Sequence, residues 1–286
     1  MFTSSTAGDI AALDRPDVLA RLFRPRKDSE RSPPPGAVDF VFSVEQGVEL
    51  GARFFLSEPT NPNILLFHGN GEIASDYDRI APIYNQLGMS LLVVDYRGYG
   101  QSSGHPTATT LLTDSLTVFT EVQRWLRQNN RKGLLIIMGR SLGSAPALEI
   151  VTVFQRKIAG LILDSGFART VPLLKRLGVS TDSLGITEAD GFSNFGKIRN
   201  MGKPTLIIHG AEDLIIPRKD ADILLANCGS ERKQLVVAPG CSHNDIVTRC
   251  GEAYFQTIRR FVSMLERDEQ QRIRGRGFDR RYPRRR

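Results

Sequence analysis

Gly139-Arg140-Ser141-Leu142-Gly143 stands between a strand-like run, Leu134-Leu135-Ile136-Ile137-Met138, and a segment able to enter a helix, Ser144-Ala145-Pro146-Ala147-Leu148-Glu149-Ile150. The G-x-S-x-G pattern suits a serine at the tip of a sharp strand-to-helix turn. The backbone there is strained, and the residues two before and two after the serine must be small, or their side chains would strike neighbouring backbone. Pro146 is tolerable only in the first turn of the following helix. Context decides the reading, because the five letters recur. Gly100-Gln101-Ser102-Ser103-Gly104 also fits, but it lies several residues past its strand and runs into His105-Pro106. The first match predicts a nucleophile at Ser141 and the second a loop.

Outward from this turn, apolar runs of strand length alternate with helix-length segments. Residues 64–67 precede a helix near 76–88, residues 91–94 one near 108–129, and residues 134–138 one near 142–156. Runs at 158–163, 205–208 and 234–237 continue the series, and a last helix spans about 246–266. Near-continuous Val/Ile/Leu runs mark strands buried on both faces, so the fold class is α/β, a mostly parallel sheet with helices on both sides. Upstream, residues 38–42 and 50–56 flank Glu45-Gln46-Gly47 as an antiparallel hairpin. Between Asp164 and Lys203 no strand is legible, only a helix-like piece at 171–177 and a Gly-, Ser- and Asn-containing stretch. This interval, about 167–202, reads as a small cap over the carboxyl ends of the strands, where open α/β sheets place their sites. Residues 1–37, broken by Ser32-Pro33-Pro34-Pro35-Gly36, read as an extension, 38–266 as the domain and 267–286 as a tail.

A serine hydroxyl is a weak nucleophile until a base takes its proton. Of four histidines, His68 and His209 follow strands directly and His105 sits in the discounted loop. His243 lies in Pro239-Gly240-Cys241-Ser242-His243-Asn244, between the last strand and the last helix, and can swing over the sheet edge to Ser141. The acid that orients it should fall between the two in the chain. Asp213, in Gly210-Ala211-Glu212-Asp213 after the 205–208 strand, is the candidate, with Glu212 its rival. A developing oxyanion needs two backbone donors. The amide of Leu142 supplies one, and the loop His68-Gly69-Asn70-Gly71 the other, with the amide of Asn70 first in line.

With 286 residues and 41% hydrophobic content, the chain can bury one sizeable core. Its net charge of +7 is concentrated at one end: nine arginines against three acids in residues 267–286 leave the remainder at +1. That tail has the composition of a basic disordered arm, of the kind that attracts nucleic acid or another polyanion in a salt-dependent way without reading sequence. The plainer reading is a solvated terminus. Three cysteines, Cys228, Cys241 and Cys250, show no metal-ligand spacing and no disulfide framework. No run approaches the ~20 apolar residues that span a bilayer, and the N-terminus lacks the pattern of a secretion signal. A cytoplasmic protein is expected.

Together, Leu66-Phe67-His68-Gly69-Asn70, Asp95-Tyr96-Arg97-Gly98-Tyr99-Gly100, Gly139-Arg140-Ser141-Leu142-Gly143, His209-Gly210-Ala211-Glu212-Asp213 and Ser242-His243 resemble the α/β-hydrolase superfamily. More narrowly, they are similar to small α/β-hydrolase-domain proteins grouped with serine aminopeptidases, lysophospholipase-like esterases and protein depalmitoylases. The resemblance covers roughly residues 38–266. It implies an α/β-hydrolase fold, with a mostly parallel eight-stranded sheet and a small cap insertion. It also implies Ser141, Asp213 and His243 as a triad and Asn70 and Leu142 as the oxyanion hole, with no metal or cofactor. The expected partner is a small-molecule acyl substrate, a short-chain carboxylic ester or thioester first. An amide or peptide hydrolase and a hydrolase fold kept only for binding are the alternatives.

Overall fold

A computed structural model of the chain describes residues 10–28 and 32–281, with side chains through residue 274. The first helix, α1 (Pro16–Leu22), opens on a proline, whose fixed φ suits a helix start. The apolar and aromatic runs that follow form the hairpin β1 (Ala37–Glu45) and β2 (Val48–Phe55), turned at Gly47 with φ +76°. Short apolar strands then alternate with helices. They are β3 (Asn63–Phe67), α2 (Ala81–Gln86), β4 (Ser90–Val94), α3 (Ala108–Gln128), β5 (Leu135–Arg140), α4 (Ser144–Phe154) and β6 (Gly160–Asp164). Two cap helices follow, α5 (Thr170–Arg176) and α6 (Asn194–Arg199). Then come β7 (Thr205–Gly210), α7 (Arg218–Asn227), β8 (Lys233–Ala238), α8 (Ile246–Cys250) and α9 (Glu252–Arg281).

The eight strands form one sheet in the order β1-β2-β4-β3-β5-β6-β7-β8. The hairpin strands pair antiparallel to each other and to β4, and all other pairs are parallel. Every residue of β3, β4, β6 and β7 is buried, as strands covered on both faces require. Two apolar layers flank the sheet. One holds Phe54, Phe67, Phe119, Leu148 and Phe167 beneath α3, α4 and the cap; the other holds Tyr84, Met138, Phe255 and Phe261 beneath α2, α8 and α9.

Three features depart from what composition alone indicates. Residues 10–28 are not a detached extension, because Leu13, Val18, Leu22 and Phe23 are buried in the first of these layers. We call this segment the strap. The cap interval is helical at α5 and α6, and Lys197 of α6 makes a buried ion pair with Glu149 of α4 at 2.5 Å, pinning the cap to the body. The terminal helix runs to Arg281, so residues 267–281 are helical where a disordered tail was expected; residues 282–286 lie outside the described residues. Local pairing explains the added turns. Glu269 and Arg272 pair at i,i+3, and Arg232, beside β8, anchors Asp268. No described helix is long and apolar enough to cross a membrane.

If the strap belongs to the core, Leu13→Ala should lower stability by about 2–4 kcal/mol, measured by urea unfolding. An appended extension would tolerate the change.

Candidate active site

The chain leaves β3 toward β4 on one side and leaves β5 toward β6 on the other. At such a switch point the loops diverge and leave a crevice at the carboxyl ends of the strands. Ser141 follows β5 directly and has φ +51°. A non-glycine residue in that left-handed region costs about 1–2 kcal/mol. The neighbouring glycines show why no other residue fits. A Cβ on Gly139 would overlap the carbonyl of Gly143, and one on Gly143 would overlap the carbonyl of Phe67. Helix α4 starts at once, with Pro146 as its third residue. Ser102, in the rival motif, is buried and its hydroxyl accepts from the Gly51 amide at 2.9 Å, which makes it a strut.

His243, between β8 and α8, reaches back across 102 residues of sequence to Ser141. The Ser141 hydroxyl donates to its Nε2 at 2.9 Å, and its Nδ1–H donates to Asp213 Oδ2 at 2.6 Å. Asp213, after β7, is buried, and its Oδ1 accepts from the amides of Ile215 and Ile216 at 2.9 and 2.8 Å. Burial opposes ionisation of this carboxyl, but hydrogen bonds from His209 and His243, the His243 charge and the Ile216 amide hold it well below the usual carboxylate range. The rival Glu212 is exposed. His209, at the end of β7, adds a second imidazole, its Nε2 at 2.7 Å from the Ile216 carbonyl and 3.4 Å from Asp213 Oδ2. Burial disfavours its charged form, but the bonds to Asp213 and Ile216 raise its pKa above the ordinary value.

The loop after β3 is braced from three sides. Tyr96 donates to the His68 carbonyl at 2.6 Å and Asp95 accepts from the Ala74 amide at 2.8 Å. The Asn70 side-chain oxygen accepts from Tyr99 Oη at 2.6 Å and from the Arg24 amide at 2.8 Å. The Asp95-Tyr96-Arg97-Gly98-Tyr99 motif and the strap thus hold the loop whose Asn70 was expected to supply a donor. The Leu142 amide stands in the first turn behind the serine, where helix amides generally lack an intrahelical acceptor.

Arg140 joins all three loops. It forms an ion pair with Glu72 and donates from Nη2 to the His243 carbonyl at 3.1 Å and to Asn244 Oδ1 at 3.2 Å. Glu72 in turn accepts from the Gly69 amide and from Tyr77 Oη, both at 2.8 Å. Sequence reading named Ser141, Asp213, His243, Asn70 and Leu142; the structure sets Ser141, His243, Asn70 and Leu142 around one cavity and Asp213 behind it, bonded to His243. It did not single out Arg140, Glu72, His209 or the strap. The only local signal was a charged residue inside the elbow pattern, where any residue satisfies the letters.

A cavity of about 370 Å³ opens at this point. Leu22, Leu173, Leu177, Leu214, Ile215 and Ile216 form its apolar wall; Ser141, His243, Asn70 and Leu142 form its floor. A larger hollow of about 710 Å³, lined by Leu134, Ile158, Lys203 and Arg232, lies at the amino ends of the strands and contains no histidine or cysteine. Among the described residues no group of three or more His, Cys, Asp or Glu could hold a metal ion.

Residues 58–181 match the family model described as serine aminopeptidase, S33. Protein bem46 of Schizosaccharomyces pombe is 32% identical over 212 residues, covering 72% of this chain and 69% of that one. Human alpha/beta hydrolase domain-containing protein 17B is 31% identical over 234 residues, covering 78% and 74%. The chain belongs to the α/β-hydrolase superfamily. Like solved members such as the Pyrococcus furiosus esterase Pf2001, which superposes with a TM-score of 0.69 at 16% identity over 84% of this chain and 98% of that one, it carries the α/β-hydrolase fold.

Two outcomes test the geometry of this hydrolase. Arg140→Leu should lower kcat by about tenfold or more while leaving KM less affected, because it releases the histidine loop and leaves the apolar wall of leucines and isoleucines in place; steady-state kinetics with a neutral ester would check it. Asp213 has a depressed folded pKa, so its stabilisation is present above its unfolded value of about 3.9 and is lost as pH falls through the folded one. The Tm gap between wild type and Asp213→Asn should therefore be largest near neutrality and shrink below about pH 4, as thermal melts across that range would register.

Proposed function

We propose that this hydrolase cleaves a small carboxylic ester or thioester through an acyl-enzyme on Ser141. The observation that carries the reading is the unbroken relay from Ser141 Oγ through His243 to Asp213, at 2.9 and 2.6 Å. His243 takes the hydroxyl proton as Ser141 attacks the carbonyl carbon, while buried Asp213 keeps Nδ1 protonated and stabilises the imidazolium that forms. The tetrahedral oxyanion is received by the amides of Asn70 and Leu142; a single such donor contributes on the order of 10²–10³ in rate. His243 then protonates the leaving alcohol or thiol, and a water activated by the same imidazole attacks the acyl-Ser141 ester and frees the acid. Neither half requires a metal or cofactor to balance.

The cavity favours esters of modest acyl length, since about 370 Å³ stands at the low end of ligand sites, roughly 300–1,000 Å³. It argues against an aminopeptidase. A peptide's free ammonium would need an acidic partner, and the described cavity wall holds none. All three cysteines are free, Cys241 and Cys250 with their sulfurs 3.6 Å apart. Unbonded thiols at that separation suit the reducing cytoplasm.

Ser141→Ala should reduce turnover of a short-chain ester such as a butyrate to about 10⁻³ of wild type or less. The same change should abolish covalent labelling by a fluorophosphonate. Labelling that persists in the folded variant would refute the assignment, and absence of labelling in wild type would leave the fold as a binding protein.

A further inference from the structure

The cavity mouth carries charge of one sign. Arg24 of the strap and Arg176 at the end of α5 line it, and both side chains are exposed. Arg140 also lines it but is consumed by Glu72. Among the described residues, no ion pair or side-chain hydrogen bond engages the guanidinium of Arg24 or Arg176, whereas Lys175, one residue earlier, is paired with Asp182. Helix α1 packs on α5, so the two arginines approach the mouth from adjacent elements. The Arg24 amide is bonded to Asn70, which fixes that arginine's backbone beside the oxyanion loop.

An exposed arginine is ordinarily just solvated. These two differ because they rim a concave, apolar-walled cavity with no acid in its lining, and such a wall focuses their potential inward. Planar guanidinium groups from two sides match the several acceptor oxygens of a phosphate or carboxylate. We propose that Arg24 and Arg176 form an anion subsite at the mouth, selecting acyl esters or thioesters whose leaving group carries a phosphate or a carboxylate. The acyl chain then lies along the leucine and isoleucine wall, and the anion remains at the rim. The proposal rests on the acyl-transfer reading above for its chemistry but on binding alone for its test.

Equilibrium binding of octyl phosphate, octyloxyacetate and neutral octyl glucoside, none of which is a carboxylic ester, separates the two. Wild type should bind one or both anions at least about tenfold more tightly than the glucoside, as bonds to charged groups imply. The tighter of the two anions identifies the headgroup. The preference should weaken between ~50 and ~500 mM salt. It should vanish in Arg24→Gln/Arg176→Gln and survive largely in Arg24→Lys/Arg176→Lys. Equal binding of charged and neutral amphiphiles by wild type, or a preference unchanged in the glutamine variant, would overturn the subsite. Ester turnover surviving in Ser141→Ala would instead overturn the acyl-enzyme and leave the subsite standing.

Discussion

The half-buried pairing of Arg140 with Glu72 is the joint on which the crevice depends. Parallel strands can only deliver loops to a common rim; nothing in the sheet sets the distance between those loops. Arg140 is half of that missing constraint, since its own backbone carries the serine while its guanidinium grips the loop after β3 through Glu72 and the histidine loop through a carbonyl. Withdrawing both charges even partly from water is costly unless each is well bonded. Glu72 meets that condition with the Gly69 amide and Tyr77, and Arg140 meets it with His243 and Asn244. The cost of burial thereby becomes positional order where catalysis needs tolerances well under an ångström.

A second layer of order surrounds the acid. Asp213 receives two backbone amides on one oxygen and an imidazole on the other, and His209 closes in beside it. With so many donors the carboxylate has one orientation, and the His243 ring inherits it. Leu214 and Ile215, the residues that follow, are exposed and line the cavity. One short loop therefore does two things: its first residue bonds the histidine and its next two line the cavity.

How much of this was legible in the sequence follows from what kind of interaction each part uses. The strands were readable because burial on both faces leaves no polar residue in a four-residue run such as Ile64-Leu65-Leu66-Phe67. The elbow was readable because close backbone approach forbids side chains at Gly139 and Gly143. The pairing of Ser141 with His243 was readable because few histidines compete. What resisted reading were long-range pairings between common residue types. Nothing local distinguishes Arg140, Glu72 or Arg24 from any solvated charge, and their meaning appears only when segments 46 to 103 residues apart are brought together. The strap misled for the same reason: a short amphipathic helix flanked by prolines looks detachable until its leucines are seen under the cap. The terminal helix misled in the other direction, because arginine-rich composition suggests a tail while i,i+3 pairing and the Arg232 anchor favour continued helix.

The strap has a consequence for how the molecule comes into being. It is synthesised ahead of its partners Asn70 and Tyr99, which lie 46 and 75 residues further on, and the α5 surface under α1 emerges later still. A nascent chain must therefore leave the strap waiting, its leucines unsheltered, until the sheet and cap exist to receive them. The last stitch of the crevice is thus made by a thread older than everything it ties down.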